Sequence, residues 1–256
     1  MQRQVIAVLL IGAAAICGLL YLIGISATDP VEQRRAFAIA RMTTGLMLIW
    51  VWLGGGLMLR HRHRIRALFQ AVRLDWRLKF VLFATLLACL EEVVTVTMTN
   101  LAPLFGSQIG EAYITASANY LDVVALHSVV VFIPFFIVMA LLLARYRFTP
   151  FALFISFGLV GTGAEAIFAA SPAAFVMFPL WCFVYGLMVW LPAFCLPARP
   201  AARTPGPLAR LLLAPAILIL ALPLIAPLVY LIAVVLDHPA IDFAPAGQGH
   251  RFSGSN

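Results

Sequence analysis

The sequence predicts an all-α protein, a polytopic transmembrane helical bundle of about seven spans, and three observations carry that expectation. Hydrophobic residues make up 64% of the 256-residue chain and charged residues 11%, with mean hydropathy +1.04. That leaves too little polar surface to coat a water-soluble globule. The apolar residues fall into runs of about 20, the length a helix needs to cross a ~30 Å hydrocarbon layer. The arginines gather in alternate breaks between those runs, which is the bias that orients membrane proteins.

The runs cover residues 5–26, 37–59, 78–99, 123–144, 150–170, 173–195 and 208–236, giving one transmembrane domain of residues 1–236 and a short tail, 237–256. The first, VIAVLLIGAAAICGLLYLIG, is longer than the apolar core of a secretion signal and lacks a well-placed small-x-small cleavage site. Ile16 before Cys17 also departs from a lipoprotein signal, so the run reads as an uncleaved span. RHRHRIRALFQAVRLDWRLK, residues 60–79, reads as a basic loop between the second and third runs. AASPAA (169–174) reads as a tight turn and PARPAARTPGP (197–207) as a flexible linker. Pro215, Pro223 and Pro227 are expected to break the last run.

Basic residues at 60–79, at Arg145 and Arg147, and at Arg199, Arg203 and Arg210 fall on one side of a seven-span chain. The positive-inside bias makes that side cytoplasmic, with the amino terminus cytoplasmic and the carboxyl terminus extracytoplasmic. Arg34 and Arg35 oppose the bias but are outnumbered. Beside two spans, the basic loop reads as an anchor for anionic lipid headgroups, so the expected partner is the lipid bilayer and not nucleic acid. Only Lys79 among the 17 basic residues is a lysine, a bias that points to a GC-rich prokaryotic genome and hence to a cell's inner (plasma) membrane. Cys17, Cys89, Cys182 and Cys195 form no C-x-x-C pair and read as small core residues.

Ionisable residues inside spans are expensive and therefore informative. In LLACLEEVVTVTMTN (86–100), Glu91 and Glu92 stand side by side, about 12 Å below the outer surface at ~1.5 Å per residue. His127 in the fourth run and Glu165 in the fifth lie at matching depth, with Arg41 in the outer third of the second. Glu91, Thr95 and Thr99 repeat at i, i+4, i+8, and Glu92 borders the same stripe, so the stripe is expected to face the bundle interior. Gly158, Gly161, Thr162 and Gly163 permit the close helix approach that would bring Glu165 to it. Bland readings stand beside these: buried carboxyls satisfied by hydrogen bonds, Glu165 paired with Arg41, Asp237 and His238 as interfacial residues, and Trp181, Tyr185 and Trp190 as packing aromatics.

The glutamate pair followed some 35 residues later by a histidine resembles the CAAX-protease and bacteriocin-processing family of intramembrane endopeptidases, over roughly residues 85–170. That family's motifs are E-E-x-x-x-R, F-x-x-x-H and H-x-x-x-N/D, which activate a water for peptide hydrolysis. Glu91 and Glu92 match the first pair and His127 the second motif's histidine. Val96 replaces the arginine, Val123 replaces the phenylalanine, and Glu165 stands near the third motif's place without a histidine.

The residues themselves allow three functions. One is a membrane-embedded hydrolase acting on a lipid or membrane-peptide substrate, with Glu91, Glu92, His127 and Glu165 as the candidate catalytic residues. A divalent metal ion is a candidate cofactor there, with Glu92, His127 and Glu165 as its candidate ligands. The second is a proton-coupled transporter using the same carboxylates. The third is a non-catalytic membrane assembly subunit. Residues 101–122, the largest expected outer connection, are expected to lid the site.

Overall fold

The computed structural model describes residues 2–168, 170–199 and 201–243. Residues 244–256 of the expected tail, Ala169 of the expected turn and Pro200 of the expected linker lie outside the described residues. Among the described residues, seven helices are long and apolar enough to cross a membrane. They are α1 (Gln2–Ser26), α2 (Pro30–Ala71), α3 (Trp76–Asn100), α4 (Tyr120–Arg145), α5 (Pro150–Ile167), α6 (Pro172–Cys195) and α7 (Leu213–Val235). The described residues contain no strand, only isolated backbone bridges.

Local chemistry sets where these helices start. Asp29 caps α2, its carboxylate accepting from the Glu32 backbone N–H at 3.2 Å, with Pro30 in the first turn. Asp75 caps α3 in the same manner, accepting from Arg77 N–H at 2.9 Å. Each carboxylate satisfies one of the donors that a helix start leaves unpaired.

Five helices close a ring through their neighbour contacts: α3 on α4, α4 on α7, α7 on α5, α5 on α6, and α6 back on α3. The α5–α6 pair is the most intimate. A Cβ added at Gly158 would stand 2.6 Å from Cys182 Cα, and one at Gly161 would enter the Tyr185 ring. Small residues let backbones meet in this way, which is the main source of helix association where lipid tails are as apolar as leucine. The helices α1 and α2 pack outside the ring against α6, and Trp50 of α2 donates its indole N–H to the Val184 carbonyl at 3.0 Å.

Three expectations need correction. The basic segment 60–79 is not mainly a loop, because α2 runs on as helix through Ala71. No Gly or Pro interrupts residues 57–71, and the segment packs Ile65 and Phe69 onto the core while Arg60 and Arg64 face out. The last run is not broken at its prolines either: α7 is continuous through Pro223 and Pro227, with Pro215 tolerated in its first turn. The linker after α6 is pinned, since Arg147 N–H donates to Arg203 O at 2.8 Å and Arg203 N–H to Arg145 O at 2.9 Å.

Two faces result. One carries the basic ends: Lys79 Nζ donates to the Phe69 and Val72 carbonyls, Gln70 bonds the Cys195 carbonyl, and Arg199 lies over Trp76. The other carries the connection 101–119, against which the segment after α7 folds.

Candidate functional site

The first cluster is built on α3. Its regular 3.6-residue turn places Glu91, Thr95 and Thr99 along one stripe with Glu92 at its border, and all four are buried, Glu91 to 2% and Glu92 to 5% exposure. Thr95 Oγ1 donates to Glu92 Oε2 at 2.8 Å, and Thr115 Oγ1 from the connection above donates to the same oxygen at 3.4 Å. The Ser128 hydroxyl of α4 also hydrogen-bonds Glu92. Glu91 adjoins Glu92 on α3 and lies within electrostatic reach of Glu165. On the far side of the ring, the Tyr185 hydroxyl of α6 donates to the Glu165 carboxylate of α5. The missing Cβ at Gly161, directly against the Tyr185 ring, permits that bond.

Among the described residues, no lysine or arginine forms an ion pair with these three glutamates. Arg41 instead donates to the Phe105 carbonyl at 2.6 Å and lies over Phe37, so an Arg41–Glu165 pair does not form. The Glu92 and Glu165 carboxylates are held by hydroxyls of Thr95, Thr115, Ser128 and Tyr185, which keeps them hydrogen-bonded where water is scarce.

The second cluster stands at the lid face. His127 Nε2 lies 3.1 Å from Asp122 Oδ2, His238 Nε2 lies 3.1 Å from Asp122 Oδ1, and the two Nε2 atoms are 2.9 Å apart. These side chains are 8–12% exposed. Residues five apart on an α-helix point about 140° away from each other. Residues 123–127, however, are π-helical, and i→i+5 pairing brings position 127 back over position 122. His238 arrives from α7, whose last turn, Leu231–Val235, is also π-helical. Asp237 then takes a left-handed conformation, φ 49°, which aspartate tolerates better than most residues, and this reverses the chain onto the bundle.

The connection 101–119 reaches Glu92 through Thr115 and pairs with the chain just after His238. Ile114 N–H donates to Thr99 Oγ1 at 3.2 Å and Asn100 Nδ2 to Ala118 O at 2.9 Å, which tie the connection to the end of α3. The chain after His238 locks onto it through Asp242 N–H to Ala116 O at 2.8 Å, with Phe243 packed on Tyr113 at 4.6 Å between ring centroids. Gly110, at φ 89°, presses against Phe243, where a Cβ would stand 3.0 Å away. Glu111 accepts from Gln108 N–H at 3.0 Å and Ser107 Oγ at 2.8 Å. Those two donors hold its carboxyl below the ordinary carboxylate range.

Of the sequence-nominated residues, Glu91, Glu92 and Glu165 come together in the first cluster and His127 stands in the second. The two clusters adjoin, because Ser128, which bonds Glu92, directly follows His127. The expected ligand set Glu92, His127 and Glu165 is not the one that converges. Among the described residues, the grouping with ligand atoms within 4.8 Å of one another is Asp122, His127 and His238. Sequence reasoning passes over Asp122 and Ser128, and reads Tyr185 as a packing aromatic and His238 as an interfacial residue. A signal for one exists: His238 and Asp242 stand four residues apart just after α7. Chemically, the arrangement sets a buried carboxylate, held by neutral donors, beside two imidazoles that share one carboxylate. A scan against protein-family models and searches of curated proteins and of solved structures found no match.

Proposed function

We propose that this multi-pass membrane protein is a membrane-embedded hydrolase, with Glu92 as the base and His127 and His238 as the electrophilic counterpart. The supporting observation is that Glu92 is bonded by Thr115 of the connection and by Ser128 of α4, the residue that directly follows His127 of the Asp122–His127–His238 cluster. In this reading, Glu92 takes a proton from water and the hydroxide oxygen adds to the carbonyl carbon of an amide or ester. The imidazoles stabilise the oxyanion, and Glu92 returns the proton to the leaving nitrogen or oxygen as its bond to carbon breaks. The substrate is a membrane peptide or a lipid that enters from the bilayer. The family resemblance to intramembrane endopeptidases gains the His238…Asp242 spacing in its favour. The orientation follows from charge: the face bearing the ends of α2, α4 and α6 with their arginines is cytoplasmic, and the lid face is extracytoplasmic.

Purified protein in liposomes containing phospholipids and a panel of labelled transmembrane peptides is the test, with products read by mass spectrometry. Wild type should release a new fragment or a fatty acid and Glu92→Gln should release none. Absence of product from wild type with both substrate classes, or equal product from Glu92→Gln, would overturn the reading.

A second reading is favoured by residues the hydrolase does not use. Glu91, Glu165 and Tyr185 place two carboxylates and a phenol within the ring of five helices, an arrangement that suits a proton-coupled carrier. A pH dye inside the same liposomes distinguishes it: proton uptake that Glu165→Gln abolishes would support the carrier.

A further inference from the structure

We infer that Asp122, His127 and His238 form a binding site for a divalent first-row transition metal ion, Zn²⁺ by preference. The inference stands on the geometry of these three side chains and not on the hydrolase reading. Neutral imidazole nitrogens with a carboxylate oxygen are the donor set that such ions take, and a two-histidine, one-carboxylate set leaves a coordination position open.

Two features of these three contacts point to a cation. The first is spacing. Tetrahedral bonds of ~2.0–2.1 Å place neighbouring donors about 3.3 Å apart, and the three donor atoms here are separated by 2.9, 3.1 and 3.1 Å. Opening each edge by a few tenths of an ångström, well within side-chain freedom, admits the ion. The second is hydrogen-bond arithmetic. Each imidazole Nε2 has a single in-plane direction, occupied either by one hydrogen or by one lone pair. Yet His127 Nε2 faces both Asp122 Oδ2 and His238 Nε2, and His238 Nε2 faces both Asp122 Oδ1 and His127 Nε2. Hydrogens cannot serve all three contacts along one axis per ring. A positive ion at the centre serves them together.

The surroundings suit that role. The three side chains are nearly buried, which excludes competing water. The donors come from two distant stretches of chain, Tyr120–His127 and the segment after α7, so the ion would also fasten α7 to α4. Bound there, it would supply Lewis acidity beside Glu92.

The test uses the full chain in detergent micelles, stripped with chelator and then titrated with Zn²⁺ by calorimetry and with Co²⁺ by visible absorption. One ion per chain should bind, and Co²⁺ should give the strong visible bands of a low-coordinate nitrogen–oxygen site. His127→Ala, His238→Ala and Asp122→Asn should each weaken binding by more than the ~10–100-fold that loss of an outer partner causes. The control His61→Ala/His63→Ala removes the other histidine pair and should bind as wild type. Because an alanine variant can misfold, the conservative Asp122→Glu, which keeps a carboxylate, should retain part of the affinity. No binding by wild type, or binding undiminished in the His127→Ala/His238→Ala double variant, overturns the inference. Binding without turnover leaves the metal site standing and sinks the hydrolase; turnover by a protein that binds no ion does the reverse.

Discussion

Glu91 and Glu92 sit on an uninterrupted α-helix, whereas His127 ends one π-helical stretch, His238 follows another, and the two meet only when the ends of a long chain segment close on each other. The deep cluster is assembled by helix packing: α3 supplies its carboxylates, and the glycines of α5 bring in Glu165 and Tyr185. The shallow cluster is assembled by backbone irregularity and a lid. Deep polar groups therefore depend on how tightly helices approach, and shallow ones on whether the lid and the chain after α7 stay paired. The two should respond to different injuries.

The largest effect expected is chemical. Glu92→Gln should lower turnover by the ~10²–10⁴-fold typical of losing a general base, while Zn²⁺ titration stays as in wild type. A parallel loss of metal affinity would show that the clusters are one site and not two neighbours.

Gly161→Leu comes next. Its first carbon would enter the Tyr185 ring, and overpacking of this kind usually costs about 1–3 kcal/mol, with more where the backbone must part. Thermal unfolding in micelles should fall while stoichiometric metal binding survives at low temperature. Unchanged melting would refute the close α5–α6 approach.

Tyr185→Phe keeps the ring and removes only the donor to Glu165. A buried acceptor left unpaired costs about 1–3 kcal/mol, so a smaller melting decrease is expected, again without effect on the histidine cluster. Phe243→Ala tests the opposite region. Losing its ring contact with Tyr113 should cost about 0.5–1.5 kcal/mol beyond lost area and speed amide exchange in residues 107–118, leaving the deep cluster untouched. Slow exchange in that variant would mean the lid holds without the tail.

The smallest effect is a pH dependence. Glu111 has its carboxyl pulled below the ordinary value of 4.5 by Gln108 N–H and Ser107. Its contribution to the lid is thus fully present above that ordinary value and is lost as pH falls through the lower, folded-state one. Lid exchange rates should rise only in that acidic window, and Glu111→Gln should flatten the rise. A rise at neutral pH would place its cause elsewhere.

Legibility in the amino-acid sequence divides along the same line. Six of the seven spans can be read within a few residues, because hydrocarbon thickness dictates their length. So can the interior stripe of Glu91, Thr95 and Thr99, because a regular helix repeats every 3.6 residues. The exception among spans, α2, comes from treating arginines as a loop signal. Charge says where a segment sits relative to lipid, not whether it is helical. Asp122 is not legible, since a five-residue spacing aligns only on a π-helix, and nothing in VVALH announces one. His238 is hidden by more than a hundred residues of separation from His127, although its spacing to Asp242 is in plain view. Tyr185 looks like one more packing aromatic, and only its partner on α5 distinguishes it.

The length of α2 has a mechanical consequence. Its 42 residues extend about 63 Å at 1.5 Å per residue, about twice the thickness of a hydrocarbon core. Arg60, Arg62, Arg64 and Arg66 lie within its last third, with Arg62 and Arg66 resting over Phe194 of α6. Sliding this rod inward would draw guanidinium groups into oil at about 2.5–3.5 kcal/mol each near the centre. A thinner membrane must therefore be met by tilt, not by sinking. The helix acts as a plumb line hung from the basic face, and it sets the depth of the opposite face, where its own Arg41 holds the Phe105 carbonyl of the connection.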